Sequence, residues 1–357
     1  MWNQTKLTET LDIKFPIIQA GMAGGVTTSE IVASVSNAGA LGSLGAGYMD
    51  PKEMQTLIQD IKQKTKHPFA VNVFVPETPK HNPEQIEKAN KLLQPFLNDL
   101  AIKANDGEVP RVFEQQIDKI IEEQVPICSF TFGIPSKPVI DKLKEHHILL
   151  VGTATTVKEA ILNEEAGMDA VVAQGSEAGG HRGTFDRPFE NSMIGTMSLV
   201  PQTVDHVSIP VIAAGGIMDA RGVIAALMLG AQGVQMGTAF VTSEESGAKK
   251  QHKEAITTST EDATTVTTTF SGKPARGIDN QFIQEMRQHE NILPDYPIQN
   301  TLTKGIRKAA AEQNKPHYMS LWAGQSPLLS QKTSATDLLL SIIKDTEVIL
   351  TTFNNDS

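Results

Sequence analysis

The chain has 357 residues, 39% of them hydrophobic, a length that fits one barrel of about 250 residues with insertions better than two unrelated domains. Its formal net charge of −10 argues against a nucleic-acid partner, which would favour a basic face. No run approaches the roughly 18 apolar residues of a membrane span, the start Met1-Trp-Asn-Gln-Thr-Lys6 lacks the apolar stretch of a secretory leader, and Cys128 as sole cysteine excludes an internal disulfide, so a cytoplasmic protein is expected.

Eight strand-like runs follow in chain order, at residues 17–23, 40–44, 70–75, 127–132, 148–152, 170–173, 211–214 and 233–236. Most are continuously apolar rather than alternating, as parallel strands covered by helices are. Helical patterns separate them. Thr28 or Ser29 is placed to cap one helix, Pro51 to start the next at its first position, Ser136 to cap a third, and Gly167 to stop the one beginning at Val157. An amphipathic pattern runs from Asp219 to Leu229. Strand and helix alternating eight times predict an α/β fold, a (β/α)8 barrel. Residues 1–242 are assigned to it, with a polar, lysine-rich insertion over about 77–114. Residues 243–357 form a C-terminal extension with helical segments, packed on the barrel as a candidate lid, and residues 354–357 are expected to be disordered.

The strand ends carry the chemistry. Pro210-Val-Ile-Ala-Ala-Gly-Gly-Ile217 and Gly233-Val-Gln-Met-Gly-Thr-Ala-Phe240 are two strands ending in glycines around a helix. In a barrel this arrangement brings backbone N–H groups and helix N-termini to a phosphate at the C-terminal face. Other glycine-rich ends are Gln19-Ala-Gly-Met-Ala-Gly-Gly25, Gly45-Ala-Gly47 and Gln174-Gly-Ser-Glu-Ala-Gly-Gly-His-Arg-Gly183, and the third strand ends Asn72-Val-Phe-Val-Pro76. Such a rim lets a large flat ligand lie close to the backbone. Among nine histidines, His181 alone stands beside glycine at a strand's C-terminal end, so it either faces the reaction or shapes the loop. His146, His147 and His252 sit in polar contexts and are expected to be solvated. Arg182 reads as a surface or lid-anchoring residue, Glu177 as a partner of His181 or a loop cap, and Cys128 as packing. Trp322 and Gln325 either line the pocket mouth or pack the C-terminal segment. No His-x-x-x-His or Cys-x-x-Cys pair points to a metal.

These motifs resemble those of the class I nitronate monooxygenases, FMN-dependent barrels formerly called 2-nitropropane dioxygenases. The resemblance runs from about Pro16 to Thr242 and resumes at Ala275-Arg-Gly277 and Ala323-Gly-Gln-Ser326. It implies that Gly215, Gly216, Gln235, Met236, Gly237 and Thr238 hold the FMN phosphate. It implies further that Asn72, Gln174 and Gly179 contact the ring or ribityl chain, that Met22 and Ala23 back the isoalloxazine, and that His181 faces the substrate. The implied reaction converts an alkyl nitronate and O2 to a carbonyl compound and nitrite, with His181 as base where the substrate is a neutral nitroalkane. The state of assembly is left open, a homo-oligomer included. Two rivals share parts of the pattern. FMN- and NADH-dependent enoyl-acyl-carrier-protein reductases have nearly the same motifs but need a basic surface for the carrier, and no dense basic patch is seen. A phosphosugar isomerase or lyase without flavin would need a Lys or Glu base at a strand end, where this chain has amides, glycines and one histidine.

Overall fold

The computed structural model describes residues 1–78, 82–105 and 107–355. The expected barrel strands are β1 (Ile17–Gln19), β2 (Gly42–Gly45), β3 (Phe69–Phe74), β4 (Ile127–Thr131), β5 (Leu149–Ala154), β6 (Ala170–Gln174), β8 (Val211–Ala214) and β9 (Gly233–Met236), while β7 (Gly180–His181) lies outside the barrel. They pair in parallel in the order β1-β9-β8-β6-β5-β4-β3-β2, and a parallel bridge from Ile18 to Leu41 closes the ring. At that thin seam the fully buried Gln19 carboxamide replaces ladder bonds: it accepts from the Ser43 N–H at 3.1 Å and donates to the Ser43 carbonyl at 3.2 Å. The first strand pairs only to Gln19, short of the expected residue 23, because the chain turns away there to build the rim.

The apolar runs bury both faces of the sheet. Ala70, Ile127, Val151, Val172 and Ile212 point inward, where Leu7, Leu11 and Ile13 from the N-terminal segment join them and plug one end of the barrel. Val71, Cys128, Leu150, Val171 and Val211 point outward into the helix layer. Cys128 is fully buried there, and burial pushes its thiol pKa up, so it is a packing residue and not a nucleophile. Of the expected caps, Thr28 receives the Ile31 N–H, Pro51 opens its helix behind Asp50, and Gly167 ends Val157–Ala166. Ser136 precedes Lys137–Glu145 but its side chain makes no cap bond.

Two excursions leave the barrel and meet each other. After β3, the helix Pro83–Asp99 buries Leu93, Phe96 and Leu97 against Phe270, Phe282, Leu302 and Tyr318 of the C-terminal part, a second hydrophobic core. Beyond β9, strands β10 (Thr264–Thr267) and β11 (Ala275–Ile278) pair antiparallel, and β11 pairs with β7, with Ala275 opposite His181. The final helix Ala335–Asn355 returns to the barrel and buries Leu338, Leu339, Ile342 and Ile343 in its helix layer. Of the expected disordered tail, Asn354 and Asn355 end this helix, and residues 356–357 lie outside the described residues. Among the described residues no helix is long and apolar enough to cross a membrane.

Candidate active site

The open end of the barrel holds a cavity of about 600 Å³, within the range of about 300–1,000 Å³ usual for cofactor and ligand sites. It is walled by the C-terminal ends of the strands. Every residue singled out from the sequence lies on it except Met236: Met22, Ala23, Asn72, Gln174, Gly179, His181, Gly215, Gly216, Gln235, Gly237 and Thr238. The Met236 side chain points into the helix layer, leaving only its backbone near the rim, where its carbonyl receives the Ala20 N–H at 2.9 Å.

On one side the wall is backbone. Gly215 and Gly216 have φ of 115° and 73°, left-handed conformations that a side chain would strain. Their N–H groups have no partner among the described residues, so they are free to donate to an anion. The helix Ala220–Met228 offers less than expected, because Asp219 caps it by receiving the Arg221 N–H at 3.0 Å and the Gly222 N–H at 3.4 Å. The segment 323–326 crosses above this cradle. Gly324 N–H donates to Thr238 Oγ1 at 2.9 Å and Gln325 N–H to the Glu177 carbonyl at 3.0 Å. Trp322, Gln325 and Ser326 line the cavity, and Trp322 also packs against Phe270 of the C-terminal segment, so both of its readings hold.

The opposite wall is aromatic and cationic. His181 packs edge-on against Phe132 and lies beside Trp322 and Tyr296, with ring centroids 5.6, 5.5 and 6.0 Å away. Its Nε2 lies 2.8 Å from Ser271 Oγ. The single Ser271 hydroxyl proton goes to the Lys273 carbonyl at 2.9 Å, so Ser271 accepts and His181 carries its proton on Nε2. Nδ1 keeps its lone pair. Burial, reinforced by the Lys273 and Arg307 charges, pushes the His181 pKa down to about 3, and the ring is neutral at physiological pH. The Asn72 carboxamide donates to Ser129 Oγ at 3.0 Å and Thr131 Oγ1 at 3.2 Å. Gln174 works for the histidine loop: it donates to the His181 carbonyl at 3.0 Å and accepts from Gly183 N–H at 2.8 Å, leaving one amide proton for any ligand.

This layout has counterparts among known proteins. A nitroalkane oxidase from Streptomyces ansochromogenes is 37% identical with a TM-score of 0.90, covering 97% of this chain and 99% of its own. FabK from Thermotoga maritima is 31% identical with a TM-score of 0.79, covering 99% of each chain. A protein of Staphylococcus aureus strain JH9 named probable nitronate monooxygenase is 53% identical over 98% of this chain and 99% of its own. The family model described as nitronate monooxygenase matches residues 4–345. The chain belongs to the nitronate monooxygenase family.

Against this family background two sequence readings change, those of Arg182 and His252, and the two alternatives for Glu177 are decided. Arg182 is not at the surface. It is 1% exposed and donates to the carbonyls of Gly175 at 2.6 Å, Gln174 at 3.1 Å and Ser192 at 2.9 Å, which fastens the loop carrying His181. Burial pulls its pKa down to about 10, which still leaves it charged. Arg182→Met should therefore destabilise the fold by at least about 3 kcal/mol, since three carbonyls lose a charged donor. Denaturant unfolding measures this, and a midpoint unchanged from wild type would contradict the loop-fastening role. Glu177 takes the capping role, receiving the Thr196 N–H at 2.8 Å at the start of helix Thr196–Val204. His252 is buried, and its Nε2–H donates to the Trp322 carbonyl at 2.8 Å.

His252 and His181 make stability depend on pH. Burial lowers both pKa values in the folded protein, whereas in the unfolded chain each takes a proton near about 6.5. The unfolded state then binds more protons, and stability falls as pH drops through about 6.5, by at most about 1.4 kcal/mol per pH unit for each histidine. Melting curves at about pH 7 and about pH 5.5 should show the decline. His252→Gln, which keeps a donor for the Trp322 carbonyl, should flatten it, and an undiminished decline would assign it to other groups.

The sequence reading also missed Tyr48, Phe132, Ser271, Tyr296 and Arg307. Ser271 stands in Ser271-Gly-Lys-Pro274, directly before the Ala275-Arg-Gly277 motif, where it reads as an ordinary turn residue. Arg307 is flanked by Lys304 and Lys308 on a helix that reads as a solvated basic face, and nothing local distinguishes it.

Proposed function

We propose that the protein is an FMN-dependent nitronate monooxygenase of the cytoplasm that uses O2 to convert alkyl nitronates to carbonyl compounds and nitrite. One observation carries the reading beyond family membership. A single cavity joins a cradle of unpaired glycine N–H groups to a half-buried, neutral histidine. The residues fit FMN. Gly215, Gly216, Gln235, Gly237, Thr238 and the Met236 backbone would take the phosphate, Met22 and Ala23 would back the ring, and Asn72, Gln174 and Gly179 would lie along the ring or ribityl chain. A carbon added at Gly180 or Gly24 would meet nothing within 4 Å, so at both points the wall stands back and leaves room for a flat ligand. The chemistry a bound flavin supplies is electron transfer between nitronate and O2.

The protein's own groups choose the substrate form. To deprotonate a neutral nitroalkane, His181 Nδ1 would have to become cationic beside Lys273 and Arg307, which its depressed pKa opposes. An ionised nitronate needs no such transfer and brings a negative charge to a positive wall. Nitronates are therefore the better substrates, and His181 orients and shields them. Nitronate-dependent O2 uptake measured beside NADH oxidation, with the cofactor identified after denaturation, tests the reading. FMN and nitronate-dependent uptake are expected. FAD, no flavin even after reconstitution, or NADH oxidation with no response to nitronate would overturn it.

A further inference from the structure

Two hydrogen-bond donors on the cavity wall lack a well-formed acceptor among the described residues. The Tyr48 hydroxyl is buried and makes no hydrogen bond of normal geometry among the described residues, although Tyr296 lies beside it. Tyr48 is held edge-on against Phe74, with centroids 5.1 Å apart, and so has no freedom to swing away. The second donor is Arg307 Nε, also buried and unpartnered. The rest of that guanidinium reaches only neutral oxygens of its own helix, the Asn300 carbonyl at 2.7 Å and Oδ1 at 2.8 Å. Among the described residues no carboxylate pairs with it. Lys273, whose Nζ stands 4.8 Å from the Phe132 ring centroid, is by contrast ion-paired with Glu77.

A buried guanidinium without a counter-ion is costly, and a buried donor without an acceptor adds to the cost. Both costs disappear if an anion with two oxygens enters. Tyr48 and Arg307 line the same cavity, the ring contacts Tyr48–Phe74–Phe132–His181 join the phenol to the histidine, and the Arg307 charge acts on both. We infer that Tyr48 and Arg307 form the seat for the anionic head of the substrate, a planar oxyanion whose two oxygens take the guanidinium edge and the phenol proton. The inference rests on the nitronate reading for the substrate's identity. A nitronate's charge lies on two oxygens of one nitrogen, which matches two separate donors, the free Arg307 Nε–H and the phenol proton. A neutral nitro group offers the same shape without the charge, so the seat discriminates between the two forms of one compound. Lys at position 307 would keep the charge but lose the planar fork.

Nitrate tests the seat without turnover, because it is a planar oxyanion and the flavin chemistry leaves it unchanged. Purified protein, matched in flavin content across variants, is titrated with nitrate by calorimetry at constant ionic strength. Saturable binding is expected for wild type, weakened at least about tenfold in Arg307→Met, less in Arg307→Lys, and about threefold to tenfold in Tyr48→Phe, for loss of charge-assisted bonds. Arg307→Met also loses the contact with Asn300 and can fail to fold. Tyr48→Phe removes only a hydroxyl that has no well-formed partner among the described residues, so it decides the matter alone. Wild-type nitrate affinity in Tyr48→Phe, or no saturable binding by wild type, overturns the inference. Intact, seat-dependent nitrate binding in a protein that does not oxidise nitronates would sink the functional reading and leave the seat standing.

Discussion

Replacing Gly237 with leucine should weaken FMN binding by about 10²–10⁴-fold while leaving the fold intact. Gly237 has φ of −104°, an ordinary conformation for any residue, and a carbon added there would touch Ala20 Cβ and Met22 Sδ at a comfortable 3.8 Å. The branched end of a leucine would then project into the space assigned to the phosphate. If two charge-assisted hydrogen bonds are lost, at about 1.5–3 kcal/mol each, the dissociation constant rises by that factor. Gly216→Leu should do the same, but less cleanly, because its φ of 73° adds backbone strain of about 1–2 kcal/mol to the steric effect. Titrating both apo variants with FMN separates the causes. Loss in both, with an unfolding midpoint lowered only in Gly216→Leu, supports the cradle. Unchanged FMN affinity in Gly237→Leu would place the phosphate elsewhere.

His181→Asn should slow oxidation of neutral nitroalkanes by at most about 10²-fold, the low end of a general base's contribution because a pKa near 3 makes its Nδ1 a weak base, and oxidation of pre-ionised nitronates less. The Asn carboxamide is too short to reach Ser271, but the loop is still fastened through its backbone by Gln174 and by Arg182. Substrate must be freshly prepared in each form, because nitroalkanes and nitronates interconvert slowly, and flavin content must be matched. The pH profile gives a second readout. With its pKa near 3, His181 stays neutral from about pH 5 to about pH 8, and wild type should show no acid limb from this residue in that range. Equal losses with both substrate forms would make His181 a positioning residue only. An acid limb near about 6.5 that vanishes in the variant would mean that the imidazole titrates normally and is better solvated than its surroundings indicate.

The barrel was legible because its strands are buried on both faces, which writes them as continuous apolar runs whatever the rest of the chain does. The phosphate side was legible for a related reason: it is made of backbone, and glycines mark where backbone must come close. The opposite wall was not. Tyr48 and Arg307 are separated by more than two hundred residues, and each looks ordinary among its sequence neighbours. Only the folding of β10 and β11 and the helix Ile298–Glu312 over the barrel mouth brings them to one cavity. Arg182 and His252 misled for the converse reason. Their polar neighbours in sequence point elsewhere, while their own side chains turn inward to satisfy carbonyls that no strand or helix partner reaches.

The return of the last helix to the barrel bears on how such enzymes diversify. The Thr242 hydroxyl donates to the Gln331 carbonyl at 2.8 Å, and the Glu244 N–H to the Thr333 carbonyl at 3.1 Å. Departure and return are thus stitched together, and the ninety or so residues between them, with Ser271, Tyr296, Arg307 and Trp322, hang on the barrel as a cassette. A different cassette need only span the same short gap, and the entropy of closing a longer one grows slowly with its length. One half of the cavity can then be exchanged wholesale while the glycine cradle, built from the barrel itself, stays as it is.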